Sequence, residues 1–303
     1  MSRMLDHGFH LGRQLLLLLG FFLVGIFIAT AIGSLSASFL GAGSRDTLLV
    51  QSVAQNLFAF MIPAWGCMRM ESTHAFSMLG LDRGYTLKAL SGLFAAWVIG
   101  VAALNQIIYW NAEMHLPDFL GGLEESWRKM EEINTTFTDT LTGDASWWGL
   151  LSGILVVGII TGLAEEMFFR GGLQGTLIQN SVPPHAAIWI TAIVFSLMHF
   201  QMFGFVPRLL LGAWFGYLYW WSGSLWLSAT AHAFNNSLVV LFTWLEKRGA
   251  ASGAIDMAGV DESGFPYLAV GSALLFAIFL IYCRNWFSPK QTISNGQDDC
   301  SHS

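Results

Sequence analysis

The sequence predicts an all-α fold, a polytopic membrane helical bundle of about eight transmembrane helices with one interfacial amphipathic helix. The 303-residue chain is 54% hydrophobic and only 11% charged, against about 25% charged residues in an ordinary soluble domain. Its apolar residues gather into runs of about 20, the length that crosses a hydrocarbon core, and short polar stretches separate the runs. A single long connection instead sets apolar residues at helical spacing within a polar segment. The net charge of −6 arises largely outside the apolar runs. Nothing in it points to nucleic acid, and the expected partners are membrane lipid and a membrane-bound peptide or protein.

Residues 14–40 follow Arg13 and run almost unbroken from Leu15 to Ile32. That exceeds the roughly 7–15 residues of a signal-peptide core and reads as an uncleaved first span. Residues 47–68 make the second, with Pro63 near its end. A polar turn holding Gly80 and Gly84 leads to the third, 89–110, where Tyr109 and Trp110 stand at the place of an interfacial aromatic belt. In the connection 112–146, Phe119, Leu120, Leu123, Trp127, Met130 and Ile133 recur at helical spacing, and Pro117 and Asp118 signal a start. Glu124/Arg128 and Glu125/Lys129 are i,i+4 pairs. This is the amphipathic helix, which either caps the bundle or helps to admit a membrane-bound substrate.

The fourth run extends from Trp147 to about Gln179 without a proline and stops at Asn180-Ser-Val-Pro-Pro184. Its Gly158 and Gly162, four apart, let another helix approach closely. Spans at 185–203, 206–221, 224–245 and 267–286 follow, and a polar tail expected to carry no packed structure ends the chain. Eight spans put both termini on one side, and a slight excess of Arg and Lys favours the inside for them. The chain divides into residues 1–146, a polar-bearing core at 147–246, and 247–303, all within one membrane domain. Cys67, Cys283 and Cys300 are far apart and lack metal-ligand spacing.

Chemistry concentrates in the core. An ionisable side chain at bilayer depth costs at least a few kcal/mol and persists where it is paired, faces a polar cavity or reacts. Glu166 and Arg170 are four apart in the order favoured for a helical ion pair. Glu165, about 100° round the helix, has no local partner and is a candidate general base or acid. Glu165 precedes the Pro183-Pro184 turn by 18 residues and His199 follows it by 15, so antiparallel helices would bring the two to similar depth. His232 and Asn236 share a face of a later helix, while Phe195, one turn before His199, reads as packing. Taken singly, an intramembrane histidine or asparagine is as readily a bond between helices. Two acids, two histidines and an asparagine over three spans favour a shared site.

The patterns Glu165-Glu166-x-x-x-Arg170, Phe195-x-x-x-His199 and His232-x-x-x-Asn236, in this order on separate helices, resemble the three signature motifs of the CPBP family. These are the CAAX and bacteriocin-processing intramembrane proteases, including type II CAAX prenyl endopeptidases and the Abi self-immunity proteins. The resemblance covers about residues 150–240. It implies that Glu165 is the catalytic acid/base, that His199 shares the nucleophilic water with it, and that His232 with Asn236 forms an oxyanion site, supported by Glu166, Arg170 and Phe195. It further implies an endopeptidase acting on a membrane-associated peptide or protein, in CAAX processing or in peptide maturation and self-immunity in a bacterial cell membrane. Glu165, His199 and His232 are also ligand types for a catalytic Zn2+, and the family is often called metalloprotease. With no His-Glu-x-x-His in the chain, positioning of water without metal stands beside that reading. A non-catalytic membrane adaptor or a proton-coupled transporter would use the same buried cluster differently.

Overall fold

The computed structural model describes residues 2–250, 257–262 and 264–288, with side chains from residue 10 onward. The tail beyond 288, with Cys300, lies outside the described residues. The principal helices are α1 (Ser2–Leu40), α2 (Arg45–Glu71), α3 (Leu87–Ala112), α4 (Gly121–Thr142), α5 (Trp147–Gln179), α6 (Pro184–Leu197), α7 (Phe205–Ser222), α8 (Leu225–Lys247) and α9 (Tyr267–Cys283). No strand occurs among the described residues.

Five helical segments are long and apolar enough to cross a membrane: His10–Leu40, Arg45–Glu71, Leu87–Ala112, Trp147–Gln179 and Tyr267–Trp286. The other three expected spans fall short by that measure. α6 has 14 residues, about 21 Å at 1.5 Å per residue against a core of about 30 Å. α7 and α8 have 18 and 23 residues, but α7 carries Arg208 and α8 carries His232, Asn235 and Asn236, and both pack within the bundle. α7 and α8 thus add polar groups to an interior to which α5, a segment long and apolar enough to span, already brings Glu166 and Arg170.

Local signals set the helix ends. Ser44, Thr86 and Ser146 are N-caps whose side chains accept from the backbone N–H three residues on, at Thr47, Ala89 and Gly149. Pro184 opens α6, where a missing N–H costs nothing. Gly223, at φ 64°, closes α7 in the left-handed conformation that glycine adopts most easily.

α5 lies at the centre. In its most apolar stretch 44% of residues are buried, against 17% in α1 and 11% in α9, so the outer helices present their surface to lipid. α5 packs on α8, α6 on α7, α3 on α9 and α1 on α2. The glycines of α5 explain the first pairing. A Cβ on Gly153 would lie 2.8 Å from Val240 Cγ1, one on Gly158 2.3 Å from Ser237 Oγ, and one on Gly162 2.8 Å from Ala233 N. Residue numbers fall along α8 as they rise along α5, so the helices run antiparallel at close range, as the Gly158/Gly162 spacing predicted.

α4 confirms the amphipathic reading in an inverted form. Phe119 before it and Leu123, Met130, Ile133 and Phe137 on it are exposed, whereas Glu124, Trp127, Glu131 and Asn134 are partly buried. The exposed stripe is apolar and the inward one largely polar, as suits a helix at a lipid interface. Both predicted pairs form, Arg128 to Glu124 and Lys129 to Glu125, each at 2.7 Å.

Candidate active site

α5 is not a uniform α-helix. Ile154–Ile160 and Met167–Gln174 are wound as π-helix, on either side of a short α-helical segment, Thr161–Glu166, that holds both glutamates. Such wide turns occur often at functional sites. Around the first wide stretch two carbonyls accept side-chain donors, Val156 O from the Thr161 hydroxyl at 2.9 Å and Val157 O from Asn236 Nδ2 at 3.2 Å.

Glu166 has no exposed side-chain surface and turns toward α7 and α8. Its Oε1 lies 2.9 Å from Arg170 Nη1 and 2.9 Å from His232 Nδ1. Arg170, also wholly buried, donates from Nη2 to Gly212 O of α7 at 2.8 Å, and its guanidinium carbon stands 4.8 Å from the Phe195 ring centre and 5.5 Å from that of Phe215. One turn on, Gln174 Nε2 donates to Gly216 O at 3.0 Å. Two side chains four apart on α5 thus bond two carbonyls four apart on α7. Arg170 is fixed by an ion pair, a hydrogen bond and two aromatic faces, the structural role expected of it.

Glu165 points elsewhere. Its side chain retains 13% exposure, and its Oε2 accepts from no protein donor and lies 3.7 Å from His232 Nε2. His232 therefore stands between the two glutamates, Nδ1 on Glu166 and Nε2 toward Glu165, and its ring stacks on Phe215 at 4.8 Å with 19° between planes. The Glu166 bond fixes which nitrogen faces Glu165.

His199 follows α6 in a turn, and its Nδ1 bonds the carbonyl of Phe195 at 2.8 Å, leaving Nε2 as the other polar atom of the ring. The Phe195 ring lies 4.9 Å from the His199 ring, 5.8 Å from that of His232 and 5.1 Å from that of Phe169. Phe195 packs, as expected, and what it packs against is both histidines. His199 stands at no ion-pair distance from Glu165, whose nearest histidine nitrogen is His232 Nε2. Phe200, immediately after His199, has φ 53°, a conformation that costs an aromatic residue about 1–3 kcal/mol and is found most often where a site demands it.

Asn236 lies one turn beyond His232 on α8 and gives one amide hydrogen to Val157 O. Its Oδ1 accepts from Asn235 at 3.4 Å. It therefore ties α8 to α5.

The three residues offered by sequence as zinc ligands do not form a metal-binding set. Among the described residues no group of three or more His, Cys, Asp or Glu side chains is placed to hold a metal ion. His232 gives one nitrogen to Glu166, and His199 turns one to its own helix and stands apart from Glu165.

Sequence reasoning did not single out Phe215, Gln174, Gln201 or Arg208. The donors that reach Gly212 O and Gly216 O became visible only once α5 was seen to widen at Met167.

Residues 147–238 match the family model described as type II CAAX prenyl endopeptidase Rce1-like. No curated protein and no solved structure matches the chain. The matched stretch opens at the first residue of α5 and ends within α8, so it holds Glu165, Glu166, Arg170, Phe195, His199, His232 and Asn236, and leaves α1–α4 and α9 outside.

Proposed function

Because the segment that builds this site belongs to the type II CAAX prenyl endopeptidase Rce1-like family, we propose that the protein is an intramembrane endopeptidase in which Glu165 activates water against a peptide bond of a membrane-associated peptide or protein. The observation that carries the reading is the Glu165 carboxylate, which has an unpartnered oxygen facing His232 Nε2 within the enclosed interior. A carboxylate so placed has a free lone pair for the proton of a water molecule.

In this reading Glu165 takes a proton as the water oxygen bonds to the scissile carbonyl carbon. The carbonyl oxygen becomes an oxyanion, and two donors face it, the Nε2–H of protonated His232 and the second amide hydrogen of Asn236. Glu165 then passes its proton to the departing nitrogen as the carbon–nitrogen bond breaks, giving a carboxylate on one product and an amine on the other. His199 presents Nε2 to orient the water. Glu166 and Arg170 hold His232 and α7 in place and do not react.

Lipid is part of this reading, because the exposed apolar face of α4 and the apolar surfaces of α1 and α9 suit a substrate that arrives from within the membrane plane. The test uses purified protein with farnesylated CAAX peptides, and mass spectrometry to locate the cut. Products from the wild type that are absent with Glu165→Gln and His232→Ala, both still folded, are expected. Equal cleavage by wild type and Glu165→Gln would remove the mechanism. The same assay with and without chelator reads metal dependence directly.

A further inference from the structure

Arg208 sits in the first turn of α7, at the helix end where the backbone dipole disfavours a cation. It is partly buried. Three other arginines have carboxylates at ion-pair distance, the buried Arg170 with Glu166, the partly buried Arg45 with Asp144 and the exposed Arg128 with Glu124. Arg208 has none among the described residues. Its contacts are neutral oxygens of one residue: Nη2 donates to Gln201 Oε1, and Nη1 to Gln201 O at 3.3 Å. Gln201 in turn donates from Nε2 to Glu131 Oε1 of α4 at 3.1 Å, while Glu131 Oε2 is buried with no partner. An acid and a base are thus held apart by one amide, although direct contact would pair them.

The string adjoins the catalytic cluster. Gln201 lies two residues beyond His199, across the strained Phe200. The surrounding loop is firmly tied. Asn111 of α3 donates from Nδ2 to Met202 O at 3.2 Å and accepts from Val206 N at 2.9 Å, and Ser196 donates to Phe205 O at 2.7 Å. Room for the guanidinium is provided by Gly204, where a Cβ would lie 2.5 Å from Arg208 Nη1. A guanidinium rigidly mounted without a carboxylate partner, with N–H groups beyond the two given to Gln201, fits one chemistry above others, a carboxylate taken through two parallel hydrogen bonds.

We propose that Arg208 is the anion-binding residue of a substrate subsite that takes a carboxylate of the peptide being cut, with Gln201 and Glu131 holding the guanidinium ready. The proposal rests on the peptidase reading for the nature of the ligand. The carboxylate is either the peptide's C-terminus or an acidic side chain, and the probes separate the two.

Three matched farnesylated peptides serve as probes: one with a free C-terminus, the same peptide amidated, and the amidated peptide with aspartate as its last residue. Binding is measured on the full-length Glu165→Gln protein, so that no chemistry intervenes, and cleavage on the wild type. The expected result is that one or both acid forms bind roughly 10- to 100-fold more tightly than the amide, the range for a hydrogen-bonded charge. Adding Arg208→Gln brings that ratio to about one, and Arg208→Lys, which keeps the charge but not the fork, leaves it intermediate. An arginine that merely staples the loop would not move the ratio. Equal binding of all three peptides, no binding of any, or a preference unchanged by Arg208→Gln overturns the subsite. Should Arg208→Gln fail to fold, an undiminished preference in Arg208→Lys overturns it as well. Preserved acid preference with no cleavage by the wild type would remove the peptidase reading and leave the subsite standing.

Discussion

On one face of α5, Glu166 lies 2.9 Å from both Arg170 and His232 with no exposed surface; on a face about 100° away, Glu165 keeps 13% exposure and approaches only His232 Nε2, at 3.7 Å. The residues are chemically identical and adjacent. Helix rotation decides which of them meets Arg170, itself bonded to α7, and which is left with His232 Nε2 as its distant neighbour. A buried carboxylate with charged partners is committed to the fold, because releasing it would strand those partners. Each glutamate keeps an Oε2 without a partner, but only Glu165, partly exposed and with a single distant neighbour, is left free to exchange a proton. The cluster thus separates the work of holding His232 from the work of moving a proton, and places His232 between the two.

The largest expected effect tests this division directly. Glu165→Gln should lower kcat about 10²–10⁴-fold, the contribution of a positioned base, with thermal unfolding in detergent close to wild type. Glu166→Gln should instead lower the unfolding temperature, with activity falling in step with the folded fraction. If the two variants behave alike, the comparison between the faces fails. Next in size is Arg170→Ala, which leaves Glu166 buried beside His232 without its cation and should cost about 3–5 kcal/mol in equilibrium unfolding. Arg170→Lys should recover part of that, since it keeps the charge while losing the geometry that reaches Gly212 O.

A smaller effect concerns the seam that brings His232 to the glutamates. In Gly162→Ala the new methyl would lie 2.8 Å from the Ala233 nitrogen and 3.0 Å from its Cα, and backbone cannot turn aside. The expected cost is about 1–3 kcal/mol, with activity falling further than stability because His232 adjoins the displaced residue. Gly158→Ala meets the Ser237 hydroxyl, which a rotamer change can move, and should cost less. Thermal unfolding and cleavage rates of the two variants check the order; equal costs would mean that the seam is slack.

Much of this was legible in the sequence. The Glu166/Arg170 pair, the glycine seam of α5, the end of α5 at the double proline and the inclination of α4 follow from short-range spacing, and short-range spacing is what a helix converts into geometry. The eight expected spans were harder to read, because an apolar run does not distinguish a helix that crosses the bilayer from one enclosed by others; α6 is apolar but short. The partner of Glu165 was also out of reach, since it depends on the packing of α8 against α5. So was the Glu131–Gln201–Arg208 string, whose members lie 70 and 7 residues apart and in no periodic pattern.

The smallest effect belongs to α4 and marks the contrast between a carboxylate inside the bundle and one on a peripheral helix. Glu124 is at the start of α4 and accepts from the Leu116 backbone N–H at 2.7 Å, from Arg128 Nε at 2.9 Å and from His115 at 3.0 Å when that ring is protonated at Nδ1. The Leu116 hydrogen bond first, and Arg128 second, hold its carboxyl down from 4.5 to about 2. A folded-state value lowered in this way contributes stability that is complete above about pH 4.5 and is lost as the pH falls through about 2. The junction between Met114 and Glu124 should therefore exchange its amide hydrogens at the same protection between pH 6 and 8 and loosen between about pH 4.5 and 2. Because its charged partners Arg128 and His115 are exposed, the change should be modest and should shrink at high salt. Glu124→Gln should show the loosened exchange already at pH 7 and no further change down to pH 3. An acid transition that persists in Glu124→Gln would trace the pH response to another carboxylate. An unchanged junction at pH 2 would mean that the closure of α4 rests on its packing against the bundle alone.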